Sequence, residues 1–99
     1  MTINVAKNGS VVTISPEGRI DSVTAPEFGK SVETNIAGMK SLVIDFAKLE
    51  YISSAGLRVL LSSKKAMDAA GGDMKLKNVG DAIMDVLNIT GFVDLLTIE

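Results

Sequence analysis

Ser53-Ser54-Ala55-Gly56 carries the most chemical content in the chain, because it joins the short stretch Tyr51-Ile52 to a helical pattern opening at Leu57. A helix N-terminus presents unpaired backbone N–H groups and the positive end of the helix dipole, both suited to an anion. Ser54 stands where an N-cap is expected, a role worth about 1 kcal/mol on its own. The same hydroxyl can carry a phosphate, whose charge would face the helix's positive end and leave the helix intact. Phosphorylation there adds about −1.5 to −2 charges to a neutral patch, enough to abolish or create a docking surface. Such a switch needs no histidine, no metal and no catalytic pocket.

Two further constellations read more simply. Ser62-Ser63-Lys64-Lys65 contains the Ser-x-x-Lys spacing of a nucleophile and its base, but it lies mid-helix without partner motifs and reads as a solvated helical face. Asp45 closes the apolar run Leu42-Val43-Ile44, which resembles the central strand of a phosphoacceptor receiver. That chemistry needs a Mg²⁺ site built from further acids after the first strand, and Ile3-Asn4-Val5-Ala6-Lys7 offers none, so Asp45 reads as a strand-end turn residue. No Gly-rich phosphate loop is present.

Composition excludes more. Without Cys there are no disulfides, thiolate zinc sites or cysteine nucleophiles, and without His no Ser-His-Asp catalysis and no histidine general base. Ten Lys+Arg against twelve Asp+Glu give a net charge of −2 with no run of like charge, so the basic footprint for nucleic acid or an anionic membrane is missing. The expectation is a binding protein, not an enzyme, with no metal and no cofactor. The start Met1–Lys7 lacks the features of a signal peptide. No window approaches the roughly eighteen apolar residues needed to cross a bilayer, so a cytoplasmic protein without membrane insertion is expected.

The elements that must position the serines follow from periodicity. Ninety-nine residues suit one domain spanning 1–99, with about 5,400 Å² exposed when folded. Residues 2–6 and 11–15 alternate as strands joined by a turn at Asn8-Gly9. Pro16-Glu17-Gly18 reads as a break, followed by an extended stub at Arg19-Ile20. A helix is predicted over 25–37, with Thr24 and Glu27 as a capping box, Val23 and Phe28 as a hydrophobic staple, and Gly38 as its C-terminal cap. Ser41–Phe46 reads as a central strand covered on both faces or at least flanked by other strands. The second helix extends through about Ala69 and stops at Gly71-Gly72, with Leu57, Leu60, Leu61 and Met67 apolar and Arg58, Ser62 and Lys65 on another face. Met74 and Leu76 mark a further strand, Asp81 caps a third helix ending at Gly91, and Phe92–Leu96 forms a last helical turn or short strand. The class is α/β, a mixed β-sheet with an N-terminal antiparallel hairpin and crossover helices.

Three segments together resemble the STAS domain family of anti-sigma factor antagonists. They are Gly18–Phe28, Leu42–Phe46 with Leu49–Leu61, and Val86–Phe92, in the family's order and over essentially the whole chain. The resemblance implies a STAS-like fold and a bacterial partner-switching role. In that family the unphosphorylated domain holds an anti-sigma factor that is also a GHKL-type serine kinase; phosphorylation by the kinase releases it, and a PP2C-type phosphatase resets the system. The family's phosphoacceptor falls on Ser54, and its acidic residue before the first helix falls on Asp21. The partner-binding surface implied takes in Asp21, Ser22, Ser53, Ala55, Gly56, Leu57 and Arg58, with Gly56 letting a partner's backbone or phosphate loop come close.

This chain departs from many members in having Ser53 where Asp is frequent, Ala55 where Ser or Thr is frequent, and Arg58 where smaller residues are frequent. Arg58 is placed one turn from Ser54, within reach of a phosphate or an acidic partner. The alternative reading is a non-switching STAS subunit of a transporter or stressosome-type assembly.

Overall fold

β1 (Thr2–Asn8) and β2 (Val11–Ile20) form an antiparallel hairpin in the computed structural model, which describes residues 1–99. Asn8 pairs with Val11, so the turn is Gly9-Ser10, one residue later than predicted, with Gly9 at φ 62. A two-residue hairpin loop needs that left-handed position to match the twist of its strands.

β2 continues through Pro16 and Gly18, where the sequence predicts a break. β3 (Ser41–Asp45) pairs in parallel with Val11–Ile14 only. Between Ile14 and Gly18 that edge of β2 has no partner strand, and an unpaired edge tolerates proline. Gly18, at φ 88, then allows a bulge between itself and Arg19, which turns the last residues of β2 onto β4 (Leu49–Ile52). β4 is the one strand absent from the sequence reading. Only Leu49 and Ile52 are buried in it, three residues apart, which breaks the alternation that marks a half-buried strand.

The sheet order is β1-β2-β3-β5-β6, with β5 at Asp73–Lys77, β6 at Thr97–Ile98, and β4 attached to the end of β2. Every pairing except the hairpin is parallel, as crossover helices require. Those helices are α1 (Ala25–Asn35), α2 (Ser54–Ala69) and α3 (Asp81–Thr90), followed by a 3₁₀ turn at Phe92–Asp94. α1 ends two residues early, at Asn35, and Ile36 rather than Gly38 is its C-terminal cap. Gly80, not Asp81, caps α3, and Asp81 is its first residue. Of the helical turn or short strand predicted over Phe92–Leu96, the segment forms the turn, and β6 begins only at Thr97, beyond it.

All buried apolar residues form one cluster joining Ile14, Ile44 and Leu76 from the strands to Phe28, Leu60 and Leu87 from the helices. The helices therefore lie on a single face of the sheet. Thr13, Val43 and Lys75, aligned across β2, β3 and β5, point to the other face and are exposed or half-buried. β3 is thus flanked by strands on both edges but fully covered on one side only, which keeps its alternation of buried Leu42 and Ile44 with half-buried Val43. The exposed surface of 5336 Å² is close to that expected for this chain length.

Candidate functional site

Two adjacent strand ends carry the site. Ile20 of β2 lies opposite Ile52 of β4, and both are buried. The next residues are Asp21 and Ser53, and the Ser53 N–H donates to the Ile20 carbonyl at 2.8 Å. Completing that pairing keeps the Ser53 backbone extended, at φ −91 and ψ 175, and helical dihedrals begin at Ser54, one residue earlier than expected.

Ser53, not Ser54, is consequently the N-cap of α2: its Oγ accepts from the Gly56 N–H at 3.4 Å and its carbonyl from the Leu57 N–H at 3.0 Å. Ser54 is the first helical residue and is exposed. Its hydroxyl makes no hydrogen bond and stands free at the positive end of the helix.

Gly56 and Leu57 are corrected in a different way. Both are buried, and a Cβ on Gly56 would lie 2.6 Å from Ile52 Cγ1 and 2.7 Å from Ile20 Cγ2. The missing side chain admits the chain's own isoleucines rather than a partner's backbone. Gly56 and Leu57 support the site from beneath and are not part of its surface. Ser22, Ala55 and Arg58, by contrast, come together on a groove of about 770 Å³ between α1 and α2, with Gly29 and Val59 in its wall. Arg58 is exposed and lies outside both of the ion pairs present, Met1–Glu27 and Lys64–Asp68.

Asp21 organises the loop before α1. Its Oδ1 accepts from the Val23 N–H at 2.9 Å and the Thr24 N–H at 3.0 Å. The Thr24 amide first, and then the Val23 amide, hold this carboxyl below its ordinary value. The Thr24 hydroxyl donates to the Arg19 carbonyl at 2.8 Å and accepts from the Asp21 N–H at 2.9 Å. Occupied in this way, it does not cap α1, and the predicted capping box with Glu27 does not form. The staple is absent too, since Val23 is 82% exposed while Phe28 is fully buried.

Sequence reasoning missed this loop's architecture, although Asp-x-x-Thr before a helix is the signature of an Asp side chain bonding to its own backbone. It also missed the Arg19 guanidinium stacked 4.3 Å from the centre of the Tyr51 ring across the β2–β4 pair, which depends on the unforeseen strand.

The STAS domain profile matches residues 2–99. The chain belongs to the STAS domain family. Among its STAS relatives, the anti-sigma-B factor antagonist of Bacillus subtilis (strain 168) is 26% identical over 99 residues, covering 100% of this chain and 91% of that protein. The crystal structure of an anti-sigma factor antagonist from Mycobacterium paratuberculosis superimposes with a TM-score of 0.87 at 26% identity, over 98% of this chain and 83% of that one. SpoIIAA, a Bacillus cell fate determinant solved in its phosphorylated form, shares the STAS fold with a TM-score of 0.77 at 17% identity, over 99% of this chain and 91% of that one.

The remaining sequence candidates of this STAS chain take structural places. Asp45 Oδ1 accepts from the Ala47 N–H and from Asn78 Nδ2, both at 3.0 Å, as a strand-end turn residue does. In the Ser-x-x-Lys segment, Ser62 and Lys65 are exposed, Ser63 is buried with its hydroxyl donating to the Val59 carbonyl, and Lys64 pairs with Asp68. No three Asp or Glu side chains gather where they could hold a metal ion. No helix is long and apolar enough to cross a membrane.

Proposed function

We propose that this chain is an anti-sigma factor antagonist whose binding to its partner is switched by phosphorylation of Ser54. The observation that carries the reading is the free Ser54 hydroxyl: exposed, without a hydrogen bond, and set on the first residue of α2 while Ser53 does the capping. A phosphate on Ser54 would meet the helix's positive end and leave the cap undisturbed, so the surface changes and the fold does not. The names of the related antagonists and the STAS fold support the regulatory part of this reading. The chain then acts in the cytoplasm as the substrate of a kinase and not as a catalyst.

In this role the unphosphorylated surface formed by Asp21, Ser22, Ser53, Ser54, Ala55 and Arg58 holds an anti-sigma factor with GHKL-type serine kinase activity. Phosphorylation of Ser54 adds about −1.5 to −2 charges to that surface and releases the partner. A PP2C-type phosphatase restores the binding form.

The test uses the whole chain as bait in its native lysate, as wild type, Ser54→Ala and Ser54→Asp, with captured proteins identified by mass spectrometry. Capture of a kinase-like anti-sigma factor by wild type and Ser54→Ala, lost with Ser54→Asp, is the expected result. Equal capture by both variants would overturn the switch and favour a non-switching subunit of a transporter or stressosome-type assembly.

A further inference from the structure

β1 leaves one whole edge unpaired over its seven residues, since β2 is its only partner. At the other side of the sheet β6 is two residues long and offers little to pair with. Free edges of β1's length are usually blunted by proline, a bulge or several charges. β1 has no proline, its register with β2 runs without a shift, and Lys7 is its single charge.

The hairpin fixes which backbone groups face outward. A two-residue loop closes on a hydrogen-bonded pair, here Asn8 with Val11, and alternation adds Ala6, Asn4 and Thr2 to that class. The N–H and C=O groups of Ile3, Val5 and Lys7 therefore point away from β2. Their side chains lie opposite Pro16, Ile14 and Val12, on the face that carries the helices. Val5 is 40% exposed there, although Ile14 beside it is fully buried.

We propose that β1 is a homodimer interface, pairing antiparallel with β1 of a second copy about a twofold axis at Val5. At that centre Val5 faces the partner's Val5, Ile3 faces the partner's Lys7, and Lys7 faces the partner's Ile3. Every outward N–H and C=O group of the strand then has a backbone partner. A centre one residue earlier sets Lys7 against the partner's Met1, and one residue later sets Ile3 against the partner's Gly9, both outside the strand. Residues opposite each other in an antiparallel pair share a face, so the two half-exposed valines cover one another.

Charge favours a second copy over an unrelated strand. The two Lys7 residues stay about 14 Å apart, beyond the screening length of about 10 Å. Each comes instead beside the partner's Ile3, two residues from Met1, whose amino group lies 3.4 Å from Glu27 Oε1. Glu27 is more than half exposed and becomes the acid nearest the incoming lysine. The assembly closes at two chains, because each has one such edge. It requires neither Ser54 nor an anti-sigma factor.

Sedimentation equilibrium of the whole chain between about 10 μM and 1 mM is the test, since a strand-edge contact gives a weak dimer. The mass should rise with concentration from that of one chain to that of two. Val5→Pro removes the donor at the axis but no bond to β2, so dimerisation weakens at least about tenfold with the circular dichroism unchanged. Register is read separately by cysteine, which the chain otherwise lacks. Under mild oxidation Val5→Cys cross-links, because facing Cα atoms about 5.5 Å apart can be bridged. Lys7→Cys does not, its two copies being about 14 Å apart.

The mass of one chain at every concentration would overturn the proposal and leave the edge to a strand of another protein. A dimer unweakened by Val5→Pro, or equal cross-linking by the two cysteine variants, would overturn it as well. If Val5→Pro loses the fold, the cysteine pair decides alone.

Discussion

Asn78 donates its side-chain amide to Asp45 Oδ1 at 3.0 Å while its own backbone sits at φ 55. Left-handed backbone costs a residue with a Cβ roughly 1–2 kcal/mol. Asn is among the residues that tolerate it, and here its side chain ties the end of β5 to the end of β3, beside the Phe46 N–H that donates to the Lys77 carbonyl. Asn78→Ala keeps the strain and loses the bond, so a loss of about 1–2 kcal/mol is expected in urea unfolding. Asn78→Gly relieves the strain and recovers part of it. A more stable Asn78→Ala would contradict the tie.

Asp45 sets a pH dependence through the same contact. Burial pushes its carboxyl up, but the Asn78 amide, the Ala47 N–H and the Lys77 charge together outweigh burial and hold it below its ordinary value of 3.8. A carboxyl lowered in the folded state contributes stability above its unfolded value and loses it as the pH falls through the folded one. The thermal unfolding midpoint should therefore fall as the pH drops below about 4, with a flatter profile in Asp45→Asn. An unchanged profile in that variant would assign the acid sensitivity elsewhere, with Asp21 the next group to replace.

The shift of the cap from Ser54 to Ser53 reverses the expected cost of two neighbouring mutations. Ser53→Ala should lose about 1 kcal/mol, while Ser54→Ala stays within about 0.5 kcal/mol of wild type. Ser54→Asp, placing a negative charge in the first turn, should gain about 0.3–1 kcal/mol. Urea midpoints in the opposite order would return the cap to Ser54.

Gly56→Ala puts a methyl group against Ile52 and Ile20 at distances no relaxed Cβ adopts. The first turn of α2 must then lift from the sheet, and a loss of about 1–3 kcal/mol is expected from denaturant unfolding. Wild-type stability in this variant would mean that the turn sits farther from the two strands than described above.

Much of this was legible in the sequence, and the exceptions share a cause. The hairpin, the three helices, the strands around Ile44 and Leu76 and the stops at Gly71 and Gly91 all follow from local periodicity and turn chemistry. β4 was not legible, since its four residues are a strand only because the bulge at Gly18 brings Arg19 and Ile20 beside them. Three of the differences at the site descend from that pairing. It holds Ser53 extended and so moves the cap, it places Ile20 and Ile52 under Gly56, and it brings Tyr51 beneath Arg19. The failed capping box has a different origin: the Thr24 hydroxyl had two candidate uses, and a bond to the Arg19 carbonyl five residues back won over the helix.

The Ile20–Ile52 couple has one further consequence, which concerns rates. Each side of the surface begins a single residue beyond a side chain that is 2% exposed or less, so neither side has slack with which to explore other shapes. Little conformational entropy is left to lose when a partner arrives, and no refolding step stands between encounter and docking. Association is then governed by diffusion and orientation, and differences among partners are read out in how long each complex lasts.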